Sequence, residues 1–144
     1  MTIRCEIVSQ DRLVYKDDVD IVILPGIDGM MGILKDHSPV LSVLQFGVIT
    51  VRKNNEEQFF TVAGGIAEVQ PDQVTVLADA AEDISEIDES RAEAAKARAE
   101  ELLSRADDMD TDEYLMIQAS LRKSSLRLNA VKRYRNRKSR NQDS

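Results

Sequence analysis

Three glycines at even spacing, Gly26, Gly29 and Gly32, lie in the stretch LPGIDGMMGILKDHSP, just ahead of the chain's single histidine, His37. Glycine-rich loops can cradle a phosphate, because a residue without Cβ lets the backbone turn freely and approach a ligand closely. The rest of that chemistry is missing. A Walker loop needs G-x-x-x-x-G-K-[ST], with a Lys for the phosphates and a hydroxyl for magnesium. No Gly-Lys-Ser or Gly-Lys-Thr occurs in the chain. A dinucleotide loop needs G-x-G-x-x-G opening a helix, whereas this stretch runs into Pro39. The spacing fits bends and turns. His37 has no second zinc ligand near it, so it reads as a hydrogen-bonded turn or interface histidine. No G-x-S-x-G marks an activated serine, and no cluster of acid, base and nucleophile suggests an enzyme.

The elements that position these residues fall into two kinds. The chain has 144 residues, enough for one domain with an appendage, and 42% of them are apolar, enough for a modest core. Up to about residue 80 the dominant period is two. Ile3, Cys5 and Ile7 alternate with Arg4 and Glu6, and VDIVIL, GVITV, FFTVAGGIAEV and VTVLA are short and rich in β-branched residues. Lys53-Asn54-Asn55-Glu56 and Gln70-Pro71-Asp72-Gln73 read as hairpin turns, because Asn tolerates left-handed φ and Pro presets a corner. Gly64-Gly65 interrupts an apolar run and predicts a bulge or sharp bend. Many short strands at near-regular spacing predict an antiparallel sandwich or barrel. Cys5, the only cysteine, excludes a disulfide framework within the chain and reads as a buried thiol.

After about residue 86 the pattern turns helical. IDESRAEAAKARAEELLSRA contains no Gly or Pro, and Ser85 or Asp88 can cap its start. Ala92, Ala95, Ala99, Leu102 and Ala106 form a stripe of mostly small side chains. ADDMDTDEY breaks the helix, and Thr111 and Asp112 are candidate caps for a second one. There Ile117, Leu121, Ser124, Leu128 and Val131 repeat the stripe. Matching stripes and a short polar link predict an antiparallel helical hairpin ending near Tyr134. The division is thus a β domain over residues 1–85, a two-helix hairpin over 86–136, and a basic tail over 137–144 expected to be disordered. The stripes bury little apolar area, so the hairpin is expected to open cheaply.

Charge divides along the same lines. Residues 79–113 carry 14 acidic and 4 basic side chains, a balance of −10, and residues 122–140 carry 9 basic and none acidic, within a net charge of −7. A basic segment of this kind meets an acidic surface. Nucleic acid ranks last among such surfaces, since aromatics are 4% of the chain and there is no base-reading module. The N-terminus MTIRCEIVSQ has no secretory pattern, and no run approaches the roughly 20 apolar residues of a membrane span. A soluble or peripheral chain is expected.

The stretches LPGIDGMMGILKDHSPVL, FFTVAGGIAEVQPDQVTVLADAAE and IDESRAEAAKARAEELL, in that order, resemble the epsilon-subunit family of F-type ATP synthases (delta in mitochondria). The resemblance spans about residues 2–135, and the GG-x-x-EVQP-x-x-VTVLAD block is its most specific part. It implies a fold: a β-sandwich of about ten strands in two sheets, followed by an α-helical hairpin. It also implies a role. Such a subunit is a non-catalytic part of the central rotor, bound to the gamma subunit and standing on the membrane ring of c subunits. It couples the catalytic head to the ring during proton-driven ATP synthesis. Its C-terminal helices, when extended, reach the catalytic alpha/beta subunits and hinder ATP hydrolysis. The implied location is peripheral, on the cytoplasmic face of a bacterial plasma membrane, a photosynthetic membrane being compatible as well.

The resemblance also carries residues. The glycine loop would touch the c ring through Asp28, Met30, Met31 and His37. The chain departs from the family by having Lys35 and Asp36 before the histidine, and methionines at positions often polar or mixed. I/L-D-x-x-R-A belongs in some bacterial members to a regulatory ATP site on the folded hairpin. Here Ile87, Asp88, Arg91 and Ala92 match it, with Glu82 upstream, Arg98 two turns on, and Lys123 and Arg127 on the other helix. Arg91 and Arg98, seven apart, share a helix face at roughly 10 Å. Some members have Arg where this chain has Lys123, and Lys cannot make a bidentate contact. No cofactor is required on this reading, and ATP is a regulatory ligand. An ATP-sensing switch module, its hairpin closing on nucleotide, is the alternative function. Arg122, Lys123, Arg127, Lys132 and Arg133 would make the inhibitory contact with the acidic catalytic subunits.

Overall fold

The computed structural model describes residues 1–135. The expected basic tail, 137–144, lies outside them. Eight strands come first: β1 Ile3–Val8, β2 Leu13–Val19, β3 Ile21–Gly26, β4 Gly29–Ile33, β5 Val40–Lys53, β6 Glu56–Val69, β7 Gln73–Ala78 and β8 Ala81–Asp83. Alternation fixes which face each strand buries. On β1, Ile3, Cys5 and Ile7 are fully buried and Arg4 points outward.

The strands form one continuous ladder in the order β2-β1-β7-β6-β5-β3-β4, with β8 paired to β6. Residues from all eight strands share a single core, including Ile3, Val19, Val22, Ile33, Val51 and Phe60. A ladder whose every strand faces the same core must fold over on itself, which makes it a sandwich. The expected strand number of about ten differs from the eight seen because β5 and β6, 14 residues each, run through both layers without breaking. Their pairing holds one register from Val40↔Val69 to Lys53↔Glu56. Pairing is antiparallel throughout, except that β1 lies parallel to β7.

Turn chemistry falls where the residue types put it. Asn54 and Asn55 both take positive φ, 53° and 65°, joining β5 to β6. Gly64 and Gly65 take φ of 86° and 136° at the bend of β6. The bend keeps register, so it is a kink and not a bulge: Gly65 pairs with Ala78 and Val62 with Ala81 on the same edge. A Cβ on Gly65 would run into the Leu77 carbonyl oxygen and lie 2.8 Å from Ala78 Cα.

The hairpin follows a single 3-10 turn, Ile84–Glu86. Helix α1 spans Glu89–Leu103 and helix α2 spans Thr111–Ala130. Asp88 caps α1, its carboxylate accepting from Arg91 N at 3.2 Å. The cap of α2 is Asp110, which accepts from Glu113 N at 2.8 Å, so Thr111 is the first helical residue and not the cap. Asp110 holds the extended backbone of a cap, with φ −76° and ψ 168°, from which its short carboxylate reaches the third amide on. Ala92 and Ala99 are buried and Ala95 half-buried, but Leu102 is exposed and Leu103 is the half-buried residue of that turn. The 3.6-residue period carries the stripe one position on. The side chain of Ala106 lies outside the described ones. On α2 the stripe matches expectation: Ile117 and Leu121 half-buried, Ser124, Leu128 and Val131 buried. A π-helical turn, Val131–Arg135, ends the described chain.

Gly65→Ala should lower stability by about 3 kcal/mol or more, since both strain and a backbone clash oppose it. Gly29→Ala, at φ 133° in open space, should cost only about 1 kcal/mol. Urea unfolding of the two variants checks the contrast, and equal losses would show that the β6 kink is not sterically dictated.

Candidate functional site

Three surfaces gather the residues that could act on a partner. The first is the seam between sandwich and hairpin. The outer faces of β5 and β6 bury Val48 and Phe59 against Ile84, Ile87, Ala92, Leu128 and Val131. Phe59 packs on Tyr134 with ring centroids 4.7 Å apart. Arg127 Nε donates to Glu82 Oε2 at 2.7 Å, across 45 positions of sequence. Arg135 Nη2 donates to the carbonyls of Ile84 at 2.7 Å and Ile87 at 2.8 Å. A cavity of about 250 Å3 opens beside these groups, lined by Gln58, Phe59, Asp83, Ile84, Tyr134 and Arg135 among others.

The sequence-predicted nucleotide residues divide at this seam. Glu82 and Arg127 meet as an ion pair. Ile87 and Ala92 are buried in the seam's apolar cluster. The Asp88 side chain is engaged as the α1 cap. Arg91, Arg98 and Lys123 are exposed. The candidate inhibitory cations are mostly outward: Arg122 stacks over the Phe46 ring at 4.1 Å, Arg133 lies 5.3 Å from the Tyr134 ring centroid, and Lys132 is exposed.

The second surface is the glycine loop joining β3 to β4. Gly26 pairs with Gly29, closing the tight turn that holds Ile27 and Asp28 at its tip. Met30 is 62% exposed, whereas Met31 turns toward the sandwich core, because β4 alternates. Of the two methionines, then, Met30 is the one presented. His37 is half-buried, and its Nδ1 lies 2.7 Å from the Ser38 carbonyl oxygen, which requires Nδ1 to carry the proton. Leu34, whose carbonyl accepts from His37 N at 3.2 Å, is exposed, as is Ile27 at the tip of the β3–β4 turn.

The third surface was not anticipated. Val8, Leu77, Ile66 and Val43 stand directly across from one another on β1, β7, β6 and β5. They point away from the core, with Leu77, Ile66 and Val43 at 57%, 43% and 52% exposure. Leu41 and Ile27 extend the row, Ile27 N donating to the Val43 carbonyl at 3.0 Å. A contiguous outward apolar row on a sheet is the mark of a docking face. Its signal lay in VTVLA and GGIAEV, where apolar residues occupy both phases of the strand, as they do when both faces are to be covered.

Reactive groups lie elsewhere. Burial pushes the Cys5 thiol up to about 12, with the charge of Glu6 adding to it, so the thiolate nucleophile is not formed at neutral pH. Among the described residues there is no group of three or more His, Cys, Asp or Glu able to hold a metal. No helix among them is long and apolar enough to cross a membrane.

A sandwich with an apolar docking row, bearing a helical hairpin clasped to its side, defines a subunit that acts by binding other chains. The family models agree on which assembly. Residues 2–84 match the ATP synthase delta/epsilon chain β-sandwich domain, and residues 85–132 match the long α-helix domain of the same chain. The ATP synthase epsilon chain of Herpetosiphon aurantiacus is 41% identical over 137 residues, 95% of this chain and 99% of that one. That of Dehalococcoides mccartyi is 39% identical over 139 residues, 92% and 94% of the two chains. The fold is also that of a chain in the Euglena gracilis mitochondrial ATP synthase structure (OSCP/F1/c-ring), with a TM-score of 0.68, 20% identity and coverage of 83% of this chain and 75% of that one. A chain of the Tetrahymena thermophila mitochondrial ATP synthase central stalk and c-ring has a TM-score of 0.56, 13% identity and coverage of 91% and 97%. The protein belongs to the delta/epsilon chain family of ATP synthase, as a non-catalytic subunit.

Proposed function

We propose that the sandwich binds the gamma subunit through the row Val8–Leu77–Ile66–Val43, stands on the c ring through the Ile27–Met30 turn, and passes torque between them. The apolar row carries this reading. It is a large exposed apolar strip on a chain whose net charge of −7 otherwise favours water. The turn supports the second contact, because it presents Ile27 and Met30 beside Asp28 at the exposed tip of the β3–β4 hairpin. Membrane association is then peripheral, through the ring, on the cytoplasmic face of a bacterial membrane. The hairpin acts as the brake: released, its basic second helix meets acidic surfaces of the alpha/beta subunits and hinders hydrolysis.

A second reading rests on the contact of Glu82 with Arg127. Two positions that resemblance assigned to a regulatory ATP site are brought together from 45 residues apart, with Ile87 and Ala92 in the same seam. ATP held there would favour the closed hairpin, its phosphates facing Arg91, Arg98, Lys123 and Arg127.

Three experiments test these readings. In the first, a catalytic head lacking this subunit is assayed for ATP hydrolysis with the full chain or a form ending at Glu86 added back. Only the full chain should suppress turnover, and suppression by both would remove the braking role from the helices. In the second, Ile66→Asp should weaken gamma binding at least tenfold in titration calorimetry, about 1.4 kcal/mol. Stability should stay within about 0.5 kcal/mol, and unchanged affinity would move the docking face elsewhere. In the third, Arg91→Ala with Arg127→Ala should weaken ATP binding while the sandwich stays folded. An unaltered isotherm would sink the nucleotide site.

A further inference from the structure

Around the buried Leu128 and Val131, further side chains of α2 and of the turn after it contact the rest of the chain, and these ties differ in kind. Arg122 is exposed, and its stack on Phe46 is open to water. Arg135 grips the carbonyls of Ile84 and Ile87, which lie in the connection between β8 and α1, so it closes the end of α2 on that connection and not on a strand. Tyr134 against Phe59 is an apolar contact with little directional demand. Glu82 with Arg127 is different. Glu82 sits on β8, locked to β6 through its pairing with Thr61, so the carboxylate is fixed to the sandwich. Arg127 sits in the last two turns of α2. The pair is short, 2.7 Å, and only 30% and 22% exposed. Water and salt therefore screen it less than an open surface pair.

We infer that Glu82–Arg127 is a built-in latch, an internal carboxylate that holds the hairpin on the sandwich with no ligand bound. It deepens the proposal above that the hairpin moves, and rests on it. The apolar bed beneath is thin where Ala92 and Ala130 supply the contact, so a single directional tie decides a large share of the docking equilibrium. The same pair sets the rotation of α2, because any other helical face would leave Glu82 desolvated without a partner. An anion that pulls Arg127 from Glu82 has to replace this bond before it gains anything. For this chain, closure is the resting condition.

The test uses the full chain with Val48→Cys. Val48 lies on β5 beneath the hairpin, whereas native Cys5 lies inside the sandwich core. A maleimide reagent then reports hairpin undocking at the introduced thiol and sandwich opening at Cys5. Glu82→Gln and Arg127→Gln should each speed labelling of the introduced thiol roughly fivefold. Exchanging the charges, Glu82→Arg with Arg127→Glu, should bring the rate back toward the parent. Labelling of Cys5 should stay slow in all of them. Single variants that label at the parent rate, with the introduced thiol well ahead of Cys5, would overturn the latch and leave the moving hairpin intact. If the introduced thiol and Cys5 react in step in every variant, the hairpin does not move independently, and both readings fail.

Discussion

Everything in this molecule hangs on one strand pair that is covered on both sides. β5 and β6 send Ile49, Val51, Phe60 and Val62 into the sandwich core and Val48 and Phe59 into the hairpin seam. Even the polar members of the outer face, Thr50 and Thr61, are buried. A pair with two apolar faces cannot stand at a surface. It demands a second cover, and the hairpin is that cover. The kink at Gly64 and Gly65 lets the same two strands serve both layers, so the sandwich has no joint between its sheets at this corner.

The two covers are unequal. The core side is closed by large β-branched and aromatic side chains from eight strands. The hairpin side is closed by alanines, one leucine, two isoleucines and a valine, with directional polar contacts at its rim. This inequality gives the protein a rigid part and a part that can be displaced. It also explains why exposed apolar groups lie on the rigid part, as the row Val8, Leu77, Ile66 and Val43, where a permanent partner can use them.

Local features were legible in the sequence because they are decided locally. The alternation of Ile3, Cys5 and Ile7, the left-handed Asn54-Asn55 turn, the Asp88 cap and the α2 stripe each depend on residues a few positions apart. What escaped depends on distance or on tertiary cover. That β5 and β6 are unbroken strands cannot be read from turn residues, because Gly64-Gly65 kinks the ladder without ending it. That β1 lies parallel to β7 follows from the closing of the sheet, and no local pattern encodes it. The α2 cap shifted by one residue because three neighbouring residues, Asp110, Thr111 and Asp112, are all competent. The site was half legible. Grouping Glu82 with Arg127 came from resemblance, and their contact followed. The grip of Arg135, the inward turn of Met31 and the outer apolar row needed the assembled sheet.

The parallel pairing of β1 with β7 has a consequence for how the chain is made. As the chain leaves a ribosome, β2 is the partner that follows β1 at once. The other edge of β1 waits for residues 73–77, on the far side of four strands. At about 5–20 residues per second, that is a delay of roughly 4–15 s. During it, the β1 backbone keeps one edge unpaired while Ile3, Cys5 and Ile7 lie on an uncovered apolar face, the exposure that aggregation exploits. Arg4, Glu6, Lys16 and Asp18 line the outward face of that first hairpin and pair across it, Arg4 with Asp18 and Lys16 with Glu6. Their charge keeps the nascent hairpin in water until its partner strand arrives.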